Sequence, residues 1–403
     1  MNTGEPTAAI LARVDVARAA RERLRRRPLR VTVAALAAAA RRWRDDAALG
    51  GALPAAARLS PEMIATIVPL AAAALDEAAM RELVEHELGP DAADRPAPDG
   101  PVLVAHVLAS NVPALALPAI ALGCLAGAAV LVKSGRDDPL TAPAFRDALA
   151  AVDPDLAATV VTTYWPGGDR EREDAVLGSA DVVVATGGDV AVSALRARSA
   201  GRFLAHGPRL SLVALAEDTD EIADAIAFDI ALHDQRGCLS PHAVYALGDA
   251  RGLARRLAAA LDALAVRLPT GPAEVEERAA ARVLRDRAEW EPGTEVHETR
   301  AGTVLYEERV DFRPTGGRRT VRVHPLSGLE ALPGIVPRGT IECVGLAGTA
   351  GRPLVDALRT AGVARVCPPG RMQQPSLSWP RGQLAPLGSL LGRLAGPLLR
   401  VDT

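Results

Sequence analysis

Between residues 102 and 186, four short apolar runs each close on polar residues or a glycine pair, with helix-like segments between them. The runs are Val102–Val107, Ala129–Lys133, Thr159–Tyr164 and Asp181–Ala185. Short β-rich runs alternating with helical segments imply βαβ units and a parallel sheet. In such sheets ligands bind beyond the carboxyl ends of the strands. Asn111, Lys133, Gly167-Gly168 and Thr186-Gly187-Gly188 come directly after these strands and are therefore expected to share one edge. No Gly-x-Gly-x-x-Gly is present, so the usual dinucleotide fingerprint is missing. Glycine pairs at 167–168 and 187–188 would still let backbone approach a pyrophosphate, although glycines at strand ends more often serve turn geometry.

The remaining segments frame this region. Residues 8–26, 31–49 and 60–88 are rich in Ala, Leu, Arg and Glu and read as helices. Ser60-Pro61 is a clean helix start, and Pro69 is expected to break or kink that helix. Gly89–Gly100 carries three prolines and three aspartates and reads as a linker. Ala114–Val132 is nineteen residues without a charge, long enough to imitate a membrane span. Pro118, Gly123 and Gly127 interrupt it, so a short helix followed by a buried strand is expected and no span. Residues 209–385 form a second α/β region, with strands at Val321–Val323, Ile341–Leu346 and Val363–Val366. The expected divisions are 1–95 helical, 96–208 and 209–385 α/β, and 386–403 a tail.

Asp229–His242 is where chemistry is expected. Ile222, Ile226 and Ile230 form an apolar helical stripe, with Asp218 and Glu221 as its capping box. The helix must end by Gly237, because Asp234-Gln235-Arg236-Gly237 is polar loop chemistry. Cys238 then stands at the mouth of a loop before the strand-like run His242–Leu247. A buried, inert thiol is the competing reading, since free Cys is among the most buried residues. Cys124 and Cys343 fall in apolar runs and are expected in the core, while Cys367 closes a strand. The four cysteines make no Cys-x-x-Cys pair or metal spacing, so no metal site and a reduced, cytoplasmic setting are expected. A formal charge of −3 argues against nonspecific nucleic-acid binding.

Taken in order, these pieces resemble the aldehyde dehydrogenase superfamily, and within it the LuxC-type acyl-CoA reductases. Ser110-Asn111-Val112-Pro113 is similar to the Asn-x-Pro segment whose Asn supports an oxyanion. Val130–Ser134 with Pro139–Ala142 resembles the cofactor-ribose strand and its helix start. Thr186-Gly187-Gly188 stands where relatives carry Thr-Gly-Ser beside the nicotinamide. Gly207-Pro208-Arg209 is similar to the Gly-Gly-Lys before the catalytic domain, and Cys238 comes 29 residues after Arg209. Asp234-Gln235-x-x-Cys238-x-Ser240-Pro241, Thr340–Leu346 and Gly370-Arg371-Met372 resemble the acyl-CoA reductase branch. Ala205 occupies the position of the water-activating Glu of hydrolytic relatives. The Glu-x-Phe-Gly-Pro segment is missing, with Val323–Leu326 nearest to it.

The resemblance implies an aldehyde-dehydrogenase-like α/β fold: a parallel-sheet cofactor domain, an α/β catalytic domain and a helical N-terminal region. It implies that Cys238 attacks an acyl-CoA to form an acyl-enzyme thioester. Asn111 and the Cys238 backbone N–H would hold the oxyanion, and a reduced nicotinamide would supply hydride to release the aldehyde. His206 or His233 could move the proton, and Arg236 could lower the thiol pKa. Lys133, Ser134 and Arg136 are assigned to a 2′-phosphate, because Arg136 stands where NAD-preferring relatives place a Glu, so NADPH is expected over NADH. Alternatives are an acyl phosphate or carrier-bound acyl substrate, a Cys-dependent acyltransferase without redox chemistry, and a noncatalytic acyl-holding partner. An acyl-activating partner protein and a homo-oligomer are also implied.

Overall fold

The computed structural model describes residues 5–349, 351–393 and 396–402. Its first sheet holds β1 (Leu103–Val107), β2 (Ala129–Lys133), β3 (Val160–Thr163), β4 (Val182–Thr186) and β5 (Arg202–His206). All pairings are parallel and the spatial order is β3-β2-β1-β4-β5. The chain leaves β1 toward one side and returns at β4 on the other, so the crevice between their carboxyl ends is a topological switch point. The near-continuous apolar strands reflect burial on both faces: every residue of β1 and β2 is buried. The uncharged run resolves into a helix, Ala116–Leu125, and then β2. Gly123 is required there, because a Cβ would stand 2.5 Å from Val130 Cγ2. Among the described residues no single helix is long and apolar enough to cross a membrane.

The second sheet contains β6 (Leu210–Leu215), β7 (Pro241–Ala246), β8 (Thr294–Glu298), β9 (Thr303–Glu307), β10 (Thr320–Pro325), β11 (Ile341–Ala347), β12 (Arg365–Cys367) and β13 (Arg400–Val401). Its order is β13-β12-β11-β6-β7-β10-β9-β8, parallel except for the β8–β9 hairpin. Only Gly207-Pro208-Arg209 separates β5 from β6. This three-residue link sets the carboxyl edge of the first sheet beside the amino edge of the second, and the cleft between those edges holds the site.

Several expectations need correcting. Pro69 does not break its helix, which runs from Pro61 to Ala73. The breaks come instead at aspartates: Asp46 accepts from the Ala48 and Leu49 N–H groups to start the helix Ala47–Ala57, and Asp76 caps Glu77–Leu88 in the same way. Thr219, not Asp218, caps the helix Asp220–Ala231, its hydroxyl accepting from Ile222 N at 3.3 Å. Asp218 is paired with Arg256 instead. Residues 386–402 do not hang off as a tail. The short helix Pro386–Leu390 offers its Leu387 and Gly388 N–H groups to the Glu87 carboxylate, and β13 extends the second sheet beside β12. The linker region contains a 3-10 turn, Ala92–Asp94, and Pro96 bridges to Pro28.

Candidate active site

The helix Asp220–Ala231 delivers the chain to an uncommon backbone. His233, Asp234 and Gln235 all have positive φ, at 58°, 52° and 60°. Left-handed geometry costs an L-residue about 1 kcal/mol or more, so three in succession need external support. Gln235 supplies it: its Nε2 donates to the Pro241 and Thr320 carbonyls at 2.8 and 2.7 Å, and its Oε1 accepts from Thr320 N at 2.7 Å. The Asp234 carboxylate accepts from Arg319 Nε and Nη2 at 3.0 and 2.8 Å and from Gly271 N at 2.9 Å. Both partners of this ion pair are buried. What reads as a solvated polar loop is therefore a buried clamp.

Cys238 comes immediately after the clamp. Ser211 Oγ on β6 donates to the Cys238 carbonyl at 2.7 Å, and Gln373 Nε2 donates to Ser240 Oγ at 3.0 Å. Cys238 is half-buried and lines a cavity of about 1160 Å³. Burial pushes its thiol above the ordinary range; the Arg381 guanidinium opposes this, the Glu342 carboxylate reinforces it, and Arg209 again opposes it. Arg236 is not among the main contributors to that balance: its guanidinium donates to the Ala57, Arg58 and Pro272 carbonyls and tethers the loop to the N-terminal helices.

The expected strand-end residues converge on the same cavity. Asn111, Lys133, Arg136, Gly167, Gly168, Thr186, Gly187, Gly188 and His206 all line it with Cys238. Asn111 Nδ2 donates to the Arg236 carbonyl at 2.6 Å, which brings its amide two residues from the thiol. Ser110 Oγ accepts from Arg136 N at 2.8 Å, and Gly135 packs so closely that a Cβ would collide with the Ala109 carbonyl oxygen. Glycine there lets the loop after β2 lie against the loop after β1. Lys133 is buried, its ammonium 5.5 Å from the Tyr164 ring centroid, and burial lowers its pKa against the pull of Glu173. The Gly168 N–H is already bonded to Glu173 Oε1 at 3.1 Å, whereas nothing lies within 4 Å of a Cβ added at Gly188. Ser134 is the exception among the expected residues. It is buried with its N–H bonded to the Thr163 carbonyl and does not reach the cavity.

Burial pushes the His206 imidazole well below its ordinary pKa, with Arg381, His106 and Arg209 adding to the shift, and His233 falls to about 4 for the same primary reason. Both are neutral at ordinary pH and both line the cavity. Sequence reasoning missed Arg381, Trp379 and the charge of Glu342. Arg381 and Trp379 line the cavity from a Pro-rich loop, their side chains 5.9 Å apart from guanidinium carbon to ring centroid. Glu342 is buried on β11, its Oε1 accepting from Gly382 N at 2.9 Å and its Oε2 3.3 Å from Arg209 Nε. A lone carboxylate inside the apolar run Ile341–Leu346 is the available signal, because buried charges are rare unless paired.

The acyl-CoA reductase (LuxC) family model matches residues 25–391. The chain belongs to the LuxC family. A long-chain acyl-protein thioester reductase of Aliivibrio fischeri is 28% identical over 251 residues, 60% of this LuxC chain and 52% of that protein. Long-chain acyl-protein thioester reductase 2 of Photobacterium leiognathi is 32% identical over 158 residues, 37% of this chain and 33% of its own length. The LuxC chain thus spans about half, or less, of the length of these curated relatives. Among solved structures, aldehyde dehydrogenase 21 from Physcomitrella patens superposes with a TM-score of 0.70 at 14% identity, covering 90% of this chain and 82% of the other. Lactaldehyde dehydrogenase from Escherichia coli gives 0.68 at 14%, covering 90% and 83%. The fold of this LuxC chain is aldehyde-dehydrogenase-like.

Proposed function

We propose that the chain reduces an acyl thioester to the aldehyde through an acyl-enzyme on Cys238. The observation that carries this reading is the convergence of the Asn111 loop, the Thr186 loop and Cys238 on one cavity beside the basic pair Lys133 and Arg136. The resting thiol is neutral, so attack on the thioester carbonyl must release its proton. Neutral His206, in the same cavity, is the group we assign to receive it. The Asn111 amide, with one of its two N–H groups free of the Arg236 carbonyl, and the Cys238 backbone N–H are assigned to the oxyanion. Ala205 on β5 offers no base for water, which favours survival of the thioester until it is reduced.

A nicotinamide dinucleotide fits the cavity. Its volume of about 1160 Å³ lies just above the usual range for ligand sites. Open space at Gly188 and the buried Lys133 ammonium supply a cradle and a charge. When bound, the reduced ring supplies the hydride. Lys133 and Arg136 are the residues we assign to the 2′-phosphate, which favours NADPH; Arg136 is exposed, with neighbouring Asp137 on its Nε at 3.1 Å. Arg136→Glu should lower kcat/KM for NADPH about 100-fold while NADH is affected far less; an unchanged NADPH/NADH ratio would remove Arg136 from the phosphate site.

The acyl donor is a thioester, and CoA is the carrier we favour from the family description. The relatives' names specify an acyl-protein thioester, and a protein-borne chain would meet the same thiol. Incubation with octanoyl-CoA and no nicotinamide should add one octanoyl mass at Cys238, and NADPH should then discharge it as octanal. If the mass appears but NADPH never discharges it, the chain is an acyltransferase; if no mass appears at Cys238, the acyl-enzyme reading fails.

A further inference from the structure

A second cavity, of about 230 Å³, shares walls with the first and is lined mainly by hydrocarbon. Ile67 and Leu70 come from the helix Pro61–Ala73, Leu122 from Ala116–Leu125, Leu204 from β5, and Leu384 and Leu390 from the returning C-terminal segment. Thr186, His206 and His233 line both cavities, and so do Leu108, Val112 and Leu115, so polar groups stand beside apolar ones where the two share walls. At about 30 Å³ per methylene-sized group, the water share of liquid volume, the cavity holds roughly eight such groups.

His106 breaks the apolar wall. In a strand, alternate residues share a face, and parallel register puts His106 beside Val184, Val184 beside Leu204, and Thr186 beside His206. These residues form one face of the sheet. His106 is 5% exposed, and its Nε2 is shut from solvent without a hydrogen-bond partner among the described residues. The Nδ1 atoms of His206 and His233 are in the same condition. Buried polar atoms in native proteins are nearly always bonded, yet here unpartnered ring nitrogens on three histidines gather around one apolar cavity. Burial holds His106 neutral, its pKa pushed down to about 4, and a neutral imidazole offers one N–H and one lone pair. Whichever role Nε2 takes, a hydroxyl can answer it, because a hydroxyl both donates and accepts.

We propose that this cavity takes the acyl chain of the substrate and that His106 receives a hydroxyl carried within the first few carbons from the thioester. Register fixes that position: His106 lines the second cavity and not the first, one alternate-residue step along the sheet face from the Thr186–His206 row that lines both. The proposal rests on the acyl-thioester reading and narrows its substrate to a hydroxylated acyl chain of moderate length.

The test compares 3-hydroxyoctanoyl-CoA with octanoyl-CoA, by kcat/KM on the full chain and by calorimetric binding to Cys238→Ala, which needs no turnover. The hydroxylated chain is expected to be favoured about tenfold, the size of one good neutral hydrogen bond. His106→Leu should bring the ratio to about one, and His106→Gln should restore part of it. Octanoyl-CoA is the internal reference, because a misfolded variant loses both substrates. A wild-type ratio of one or less in both measurements, as when water alone satisfies these nitrogens, overturns the proposal. So does a preference that survives His106→Leu. A binding preference without any nicotinamide-dependent reduction leaves the hydroxyl site standing and sinks the reductase reading.

Discussion

The Cys238 thiol, the nucleophile we propose, is held neutral by its surroundings. Burial and the Glu342 carboxylate raise its pKa, while Arg381 and Arg209 pull it down. The net direction is upward, so the thiolate fraction should climb through the alkaline range without levelling near neutrality. Iodoacetamide labelling of Cys238 against pH should therefore inflect above about pH 8.5, the ordinary thiol value. Glu342→Gln removes one opposing charge and keeps an acceptor for Gly382 N. It should move the inflection down by roughly half a unit or more and speed labelling a few-fold near neutral pH. An inflection in the acid range in the native protein would contradict this balance of charges, and no response to the Glu342 substitution would mean that Arg209 screens that carboxylate from the sulfur.

Among elements, the left-handed turn at His233–Gln235 matters most, and it is the least legible. Strand–helix alternation and the polar strand ends make most of the first sheet readable: β1 to β4 fall within a residue or two of expectation, β5 is not anticipated, and all but Ser134 of the assigned residues reach the cavity. Asp234 and Gln235 read as solvated because their side chains are polar. Their partners, Arg319 and Thr320, lie 85 positions away, and no local pattern announces a buried clamp across that distance. The same holds for β8 and β9, whose hairpin partnership depends on the sheet edge they join. Helix breaks at Asp46 and Asp76 are, by contrast, available as caps, but long Ala-rich runs on either side mask them. The clamp is testable. Gln235→Ala strands the Thr320 N–H and two carbonyls in a buried place, where each unmet group costs about 1–3 kcal/mol. It should lower unfolding stability by about 3 kcal/mol and slow acylation of Cys238 more than it weakens NADPH binding. Unchanged acylation with reduced stability would show that the turn supports the fold without positioning the thiol.

At the scale of the whole molecule, the C-terminal segment binds the two sheets together. Arg202, at the start of β5, donates to the Ser389 and Leu390 carbonyls at 3.1 and 2.8 Å. Glu87 takes the Leu387 and Gly388 N–H groups at 3.0 and 2.7 Å. A few residues on, β13 covers the outer edge of β12, and Arg365 pairs with Asp402 at 2.6 Å. The segment thus touches the N-terminal helices, the first sheet and the second, and Leu384, Pro386 and Leu390 wall the second cavity between them. Ending the chain after Ala385 would leave Glu87 and Arg202 without these partners, bare a three-residue strand at the sheet edge and open the second cavity to water. The shortened chain should melt roughly 5 °C or more lower and lose about tenfold or more in octanoyl-CoA affinity, with NADPH affinity changed much less, since the assigned phosphate contacts at Lys133 and Arg136 lie at the end of β2 and on the loop after it. A truncated protein with native Tm and native acyl affinity would mean that the segment only decorates a cleft the two sheets already hold shut.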